Sequence, residues 1–200
     1  MESLVHCPSF VKKSTITYPF SLPHTIKNFH GEVLIFKSIE EENGEKKMLV
    51  ENKVTPGAGP PFHVHFKQDE GLTVSKGTMG YQIDGQEEKF LKEGESVVFT
   101  RGEMHRFWNA GEDVLECTGW VKPANSLDYF LTGVYNSMNK SGTAQGDPFD
   151  SAYLMTRYKS EYDIKAVPAF VKKVIFPITV LIGNMLGKYK HFQHAPKPLK

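Results

Sequence analysis

Between Gly57 and Gly77 the chain reads GAGPPFHVHFKQDEGLTVSKG: two histidines one residue apart, then an acidic pair, framed by glycines. Side chains along a strand alternate between faces, so His63 and His65 stand on one side with Pro61 and Lys67. Phe62, Val64 and Phe66 take the other side, an apolar face that needs a cover, and helices in the C-terminal third are the candidates for it. Glu70 opens the next strand. Its period-two partners Leu72 and Val74 are apolar, so Glu70 starts on a buried face. A carboxylate there is costly unless it is paired or binds a cation. A metal ion at the end of that face would satisfy His63, His65 and Glu70 together. Asp69 is the alternative carboxylate, because a one-residue shift of register would present it instead; the apolar alternation favours Glu70.

Working outward, Gly94–Asn109 reads GESVVFTRGEMHRFWN and supplies a further histidine. A short strand ends at Thr100, a turn at Gly102 reverses the chain, and His105 opens the return strand with Phe107 and Asn109 on its own face. The surrounding residues repeat this texture. VLIFKSI, KMLVENKV, TMGYQI and VLECTGW are short apolar runs separated by turns, and EENGEK and IDGQ carry the Asn-Gly and Asp-Gly signals of tight hairpins. Many short strands at regular spacing mean a sandwich or a barrel that hides its edges.

Two spacings give the arrangement a family likeness. Gly57, His63, His65, Glu70 and Gly77 fit G-x5-H-x-H-x4-E-x6-G, and Gly94, Gly102, His105 and Asn109 fit G-x5-P-x-G-x2-H-x3-N, with Thr100 in place of the proline. The chain resembles the cupin superfamily, and the Pro-Gly-rich entry PGAGPP is similar to quercetin dioxygenase-like members. The likeness covers about 32–123. It implies an all-β fold, a double-stranded β-helix or jelly-roll barrel, followed here by C-terminal α-helices. It also implies one divalent transition metal per chain, held by His63, His65, Glu70 and His105. Three imidazoles and a carboxylate suit Fe, Mn, Ni, Cu or Zn alike. Glu70 has a second role open to it, that of catalytic base. Met79, Tyr81, Ile83, Phe99 and Phe107 are candidates for an apolar substrate pocket or for core packing.

The flanks read differently. Residues 1–31 form an arm without clear period, 32–123 the barrel, and 124–200 a helical extension packed on the barrel or on a partner subunit. In the extension, Leu127, Phe130, Leu131, Val134 and Tyr135 share one helical face behind an N-cap at Asn125 or Ser126. Pro177 is expected to kink or interrupt the last helix. The uncharged apolar run Val174–Leu186 falls short of the ~20 residues of a spanning helix. Interfacial contact by this segment is the lesser alternative to packing.

Balanced charge, 24 Lys+Arg against 23 Asp+Glu with no long basic run, argues against a nucleic-acid partner. Two cysteines, Cys7 and Cys117, suit a reducing compartment better than a disulfide scaffold, and no leader is recognisable, so a cytoplasmic protein is expected. The expected partners are a small-molecule ligand and a second copy in a homodimer. The leading function is a metal-dependent dioxygenase-like enzyme acting on a small, aromatic or enol-bearing molecule. The rivals are a non-catalytic metal-containing ligand binder or sensor, and a redox-neutral isomerase or lyase.

Overall fold

Turn chemistry and period-two alternation build eleven strands, seen in a computed structural model that describes residues 18–199. Residues 1–17 of the expected arm, Cys7 among them, lie outside the described residues. The strands are β1 His24–Lys27, β2 Glu32–Glu42, β3 Glu45–Val54, β4 His63–His65, β5 Asp69–Lys76, β6 Thr78–Ile83, β7 Lys89–Lys92, β8 Ser96–Phe99, β9 His105–Asn109, β10 Leu115–Lys122 and β11 Tyr162–Ile164. They form two antiparallel sheets, in the orders β1-β2-β3-β10-β5-β8 and β11-β4-β9-β6-β7. Each sheet recruits strands distant in sequence, as a double-stranded β-helix requires. Gly77, at φ 94°, turns β5 directly into β6, a backbone conformation that L side chains rarely adopt.

The lead-in is not wholly irregular, as the sequence had suggested. His24–Lys27 pairs with Val33–Phe36, which buries Ile26 opposite Leu34. A four-residue edge strand carries too few alternations to be read on its own. The same holds for β7 and β11, which form only because a partner strand is present.

The inward faces divide into two cores along the strands. Val54, Leu72, Val74, Met79, Phe99, Phe107, Leu115 and Cys117 fill the barrel between the sheets. Beyond them Leu34, Phe36, Met48, Val50 and Val121 belong to a second core, shared with residues of two helices. These are α1, Leu127–Ser141, and α2, Pro148–Arg157. Asp147 caps α2, its carboxylate accepting from the Phe149 and Asp150 amides, with Pro148 in the first turn. Ser126 occupies the cap position of α1 but makes no capping bond; its hydroxyl donates to Glu161 instead. A π-helical turn, Val171–Ile175, leads into α3, Phe176–Met185. Pro177 lacks an N–H and crowds the preceding turn, and the wider i→i−5 pattern just before it relieves that conflict.

Asp128, in the first turn of α1, yields a pH prediction. Burial pushes its carboxyl up to about 6, and the bond it accepts from the Tyr129 amide only partly offsets this. The folded state therefore holds this proton more tightly than the unfolded chain. The stability it contributes is full below the ordinary aspartate value and is lost as pH rises through about 6. Asp128→Asn should unfold with the wild type at pH 4, and be more stable by about 2–3 kcal/mol at pH 7. Urea unfolding of both proteins at the two pH values is the check; an equal gain at both would assign the effect to something other than ionisation.

Candidate metal centre

Strand register brings the four candidate ligands together. His63 stands directly opposite His105 across the β4–β9 pair, and directly opposed residues in antiparallel strands face the same way. Glu70 stands opposite Phe99 on β8 and Val121 on β10, pointing inward from the other sheet. One ligand atom from each of His63, His65, Glu70 and His105 lies within 4.8 Å of all the others. Asp69 is excluded from this group by the same alternation. It faces outward, accepting from the Arg101 amide at 2.9 Å and from the Arg101 guanidinium at 2.6 and 3.1 Å.

The hydrogen bonds fix which ring atoms are free. His63 Nδ1–H donates to the Pro61 carbonyl and His105 Nδ1–H to the Glu103 carbonyl, each at 2.9 Å. A carbonyl can only accept, so Nδ1 of each ring carries a proton and Nε2 is the atom turned toward Glu70. The three Nε2 atoms, of His63, His65 and His105, lie 4.0, 3.5 and 3.2 Å from Glu70 Oε2. Burial lowers the His63 ring to about 3, with the neighbouring imidazoles adding to the shift. Burial lowers His65 as well. Burial alone would raise Glu70, but the His105 contact and the surrounding imidazoles reverse it, to about 2. A metal ion would take these groups as neutral rings and an ionised carboxylate, displacing any proton held on Nε2, and its charge would offset the burial of the carboxylate. Two donors each ~2.1 Å from a common ion stand at most ~4.2 Å apart, so the observed spacing needs only small side-chain adjustments. The residues fit a single metal ion.

The departure from the second spacing at Thr100 has a compensation. Its N–H, which proline would lack, donates to the Glu103 carboxylate at 2.6 Å. The same turn sends the Gly102 amide to the His65 carbonyl at 2.8 Å. One short turn therefore positions both His65 and His105. Asn109 closes the far end of β9: its amide donates to the Val54 and Asp113 carbonyls, each at 2.7 Å, and its oxygen accepts from Gly111.

The barrel is a cupin domain. Residues 51–121 match the family model described as a cupin domain, a span that holds both spacings and all four candidate ligands. The chain is 37% identical over 76 residues to the oxidoreductase iacF of Pestalotiopsis fici, a match covering 36% of this chain and 37% of that protein. It is 25% identical over 111 residues to the probable oxidoreductase virH of Hypocrea virens, covering 50% and 49%. The chain thus spans half or less of the length of these curated relatives. Among solved structures, an uncharacterised double-stranded β-helix protein of Klebsiella pneumoniae superposes with a TM-score of 0.41 at 24% identity, over 55% of this chain and 93% of that one.

The cluster sits at the seam between the two cores. Phe99 stacks flat on His105, with centroids 4.0 Å apart and planes within 6°. Tyr162 of β11 meets His65 edge-on at 5.4 Å. Of the residues considered for a pocket, Met79, Phe99 and Phe107 are buried in the barrel core, whereas Tyr81 and Ile83 are partly exposed beside it. Tyr81 contacts Phe99 edge-on at 5.8 Å, and Ile83 stands directly opposite His105. The expected helical cover over the outer face of β4 is replaced at Phe62 by cations, Arg106 and Lys165 lying 4.9 and 5.4 Å from its ring. Phe66 stays exposed.

Sequence reading did not find β11 or Glu161. Tyr162 pairs with His65 and Ile164 with His63, so a strand from the C-terminal region forms one edge of the ligand strand. The only local signal was the alternation of Tyr162 and Ile164, too short to stand out.

Proposed function

We propose that the cupin barrel is a metal-dependent oxidoreductase, of oxygenase type, acting on a small aromatic or enolic molecule. The observation that carries this is the convergence of three imidazole Nε2 atoms on the Glu70 carboxylate. Support comes from the oxidoreductase names of the two curated relatives and from the Pro-Gly-rich entry loop like that of quercetin dioxygenase-like cupins. When bound, the metal supplies Lewis acidity and, if redox-active, a route for electrons from substrate to dioxygen.

The chain's own residues supply the rest. The Pro61 and Glu103 carbonyls hold the His63 and His105 rings in one tautomer and orientation, leaving Nε2 free. Phe99 fixes the plane of His105 from behind. Tyr81 and Ile83 offer an apolar wall suited to a flat ring, while Met79 and Phe107 set the depth of the barrel beneath it. Glu70 Oε2 is the candidate acceptor for the proton of a phenolic or enolic hydroxyl, a role that requires its carboxyl to be raised from the low value the His105 contact and the surrounding imidazoles impose. Four protein donors leave one or two positions on a five- or six-coordinate ion. The free, buried Cys117 is compatible with a reducing, cytoplasmic setting.

The test begins with elemental analysis of untagged protein and proceeds to oxygen uptake with flavonoids, diketones and catechols. Oxygen-dependent consumption of one of these, lost on chelation, is expected. Turnover that proceeds equally without oxygen would assign a redox-neutral isomerase or lyase. Retention of an unaltered ligand without turnover would make the barrel a binding module.

A further inference from the structure

An uncharged apolar run of 10–14 residues is ordinarily a core helix or an interfacial segment. Val174–Leu186 is such a run, and the structure does not bury it: within α3 only Gly183 is buried, beneath the Tyr189 ring. Of fourteen large apolar side chains exposed among the described residues, eight fall between Phe170 and Leu186. They include Phe170, Ile178, Leu181, Ile182, Met185 and Leu186, and Met185 reaches 80% exposure. A cluster of exposed large apolar side chains in one segment marks an interaction surface. Val174, Ile178, Leu181, Ile182 and Met185 recur at the spacing of one helical face, the side that such a helix lays on a groove or on a lipid surface.

Charge selects the occupant. Residues 164–200 hold seven of the chain's 24 Lys+Arg and none of its 23 Asp+Glu, so the remainder of the chain is net negative. Lysines bracket the apolar run, Lys172 and Lys173 before it and Lys188 and Lys190 after it. Lys165 and Lys172 pair with Asp84 and Asp163, but Lys173, Lys188, Lys190 and Lys197 make no ion pair among the described residues. A second copy would bring the same uncompensated lysines to the same face. Anionic headgroups neutralise them while the apolar side chains enter the acyl boundary, with the lysine stems spanning the two layers.

We propose that the π-helical turn and α3 form an interfacial anchor that docks the barrel on an anionic lipid surface without crossing it. No described helix is long and apolar enough to cross a membrane. The test is flotation of the full chain with phosphatidylcholine vesicles, with and without 30% phosphatidylserine, at low and high salt, alongside sedimentation velocity.

Binding at least about ten-fold stronger to the phosphatidylserine vesicles, and weakened by salt, is expected. Leu181→Asp/Met185→Asp should lose it by a further ten-fold or more, with metal content and circular dichroism unchanged. Lys173→Gln/Lys190→Gln should weaken it about five-fold per lysine. The lysine pair keeps the proposal testable if the aspartate variant fails to fold. Absence of binding to either vesicle overturns the proposal, as does equal binding to both. A dimer that the aspartate variant dissociates, without vesicle binding, assigns the face to a second copy instead.

Discussion

His105→Ala is expected to strip the protein of its metal, lowering affinity by on the order of 100-fold or more. His105 is the best-held of the four candidate ligands. Its ring is sandwiched by Phe99, its Nδ1–H is spent on the Glu103 carbonyl, and its Nε2 lies 3.2 Å from Glu70 Oε2. Removing it leaves a cavity against Phe99 and takes from Glu70 its nearest partner. The metal-free fold should therefore also weaken, by about 3 kcal/mol. His63→Ala should likewise lose the metal but cost less stability, because that ring lies farther from the carboxylate, at 4.0 Å, and is more exposed. Two substitutions bound the interpretation. Asp69→Asn should keep full metal content, since Asp69 is engaged outward by Arg101. Cys117→Ser should do the same, because the thiol is buried in the barrel core, where burial pushes it up to about 12. Elemental analysis with metal titration of all four proteins is the measurement. Loss of metal in the Asp69 or Cys117 variant would overturn the ligand assignment.

What the sequence made legible was local. Alternation along Pro61–Lys67 and Glu70–Val74 puts His63 and His65 on one face and starts Glu70 on a buried one, because each inference spans only a few residues; His105 joins them as a candidate through the family likeness of the two spacings. Asp69 and Glu70 are adjacent, and the structure turns Asp69 outward onto Arg101, 32 residues along the chain, a partner that no local pattern shows. The side chain of Ser126 has a local reading as a helix cap, yet a carboxylate 35 residues away takes its hydroxyl. The edge strand β11 has no strong signal of its own, and its pairing with β4 joins segments roughly a hundred residues apart. α3 illustrates a different limit. Its pattern announces an apolar helix, but whether such a helix is covered depends on the surface available to cover it, which periodicity does not encode.

The second large effect is expected at Glu161, a residue with no direct part in the metal cluster. Its side chain is fully buried, and both oxygens accept. Oε2 takes the Gln68 amide at 2.7 Å and the Asn125 amide at 2.8 Å, while Oε1 takes the Ser126 hydroxyl and the Leu199 N–H, each at 3.0 Å. Its own carbonyl accepts from the Phe66 amide at 2.7 Å. One side chain thereby joins the loop after β4, the start of α1 and the C-terminal segment. Glu161→Ala would take the acceptor from these four donors, those of Gln68 and Ser126 fully buried and those of Asn125 and Leu199 partly so, at a cost of about 3 kcal/mol. Glu161→Gln keeps the shape and one acceptor oxygen but sets an amide N–H₂ among donors, so an intermediate loss of about 2 kcal/mol is expected. The consequence for the site follows from the next residue, Tyr162, which packs edge-on against His65 and pairs with it across β11–β4. Loosening Glu161 releases that edge and should weaken metal affinity of the folded protein by about 10–100-fold, with the glutamine variant recovering part of it. Metal titration under conditions where unfolding of each variant is negligible separates the two effects. Unchanged affinity together with lost stability would leave Glu161 as a fastener of the C-terminal layer, with no influence on how His65 is held.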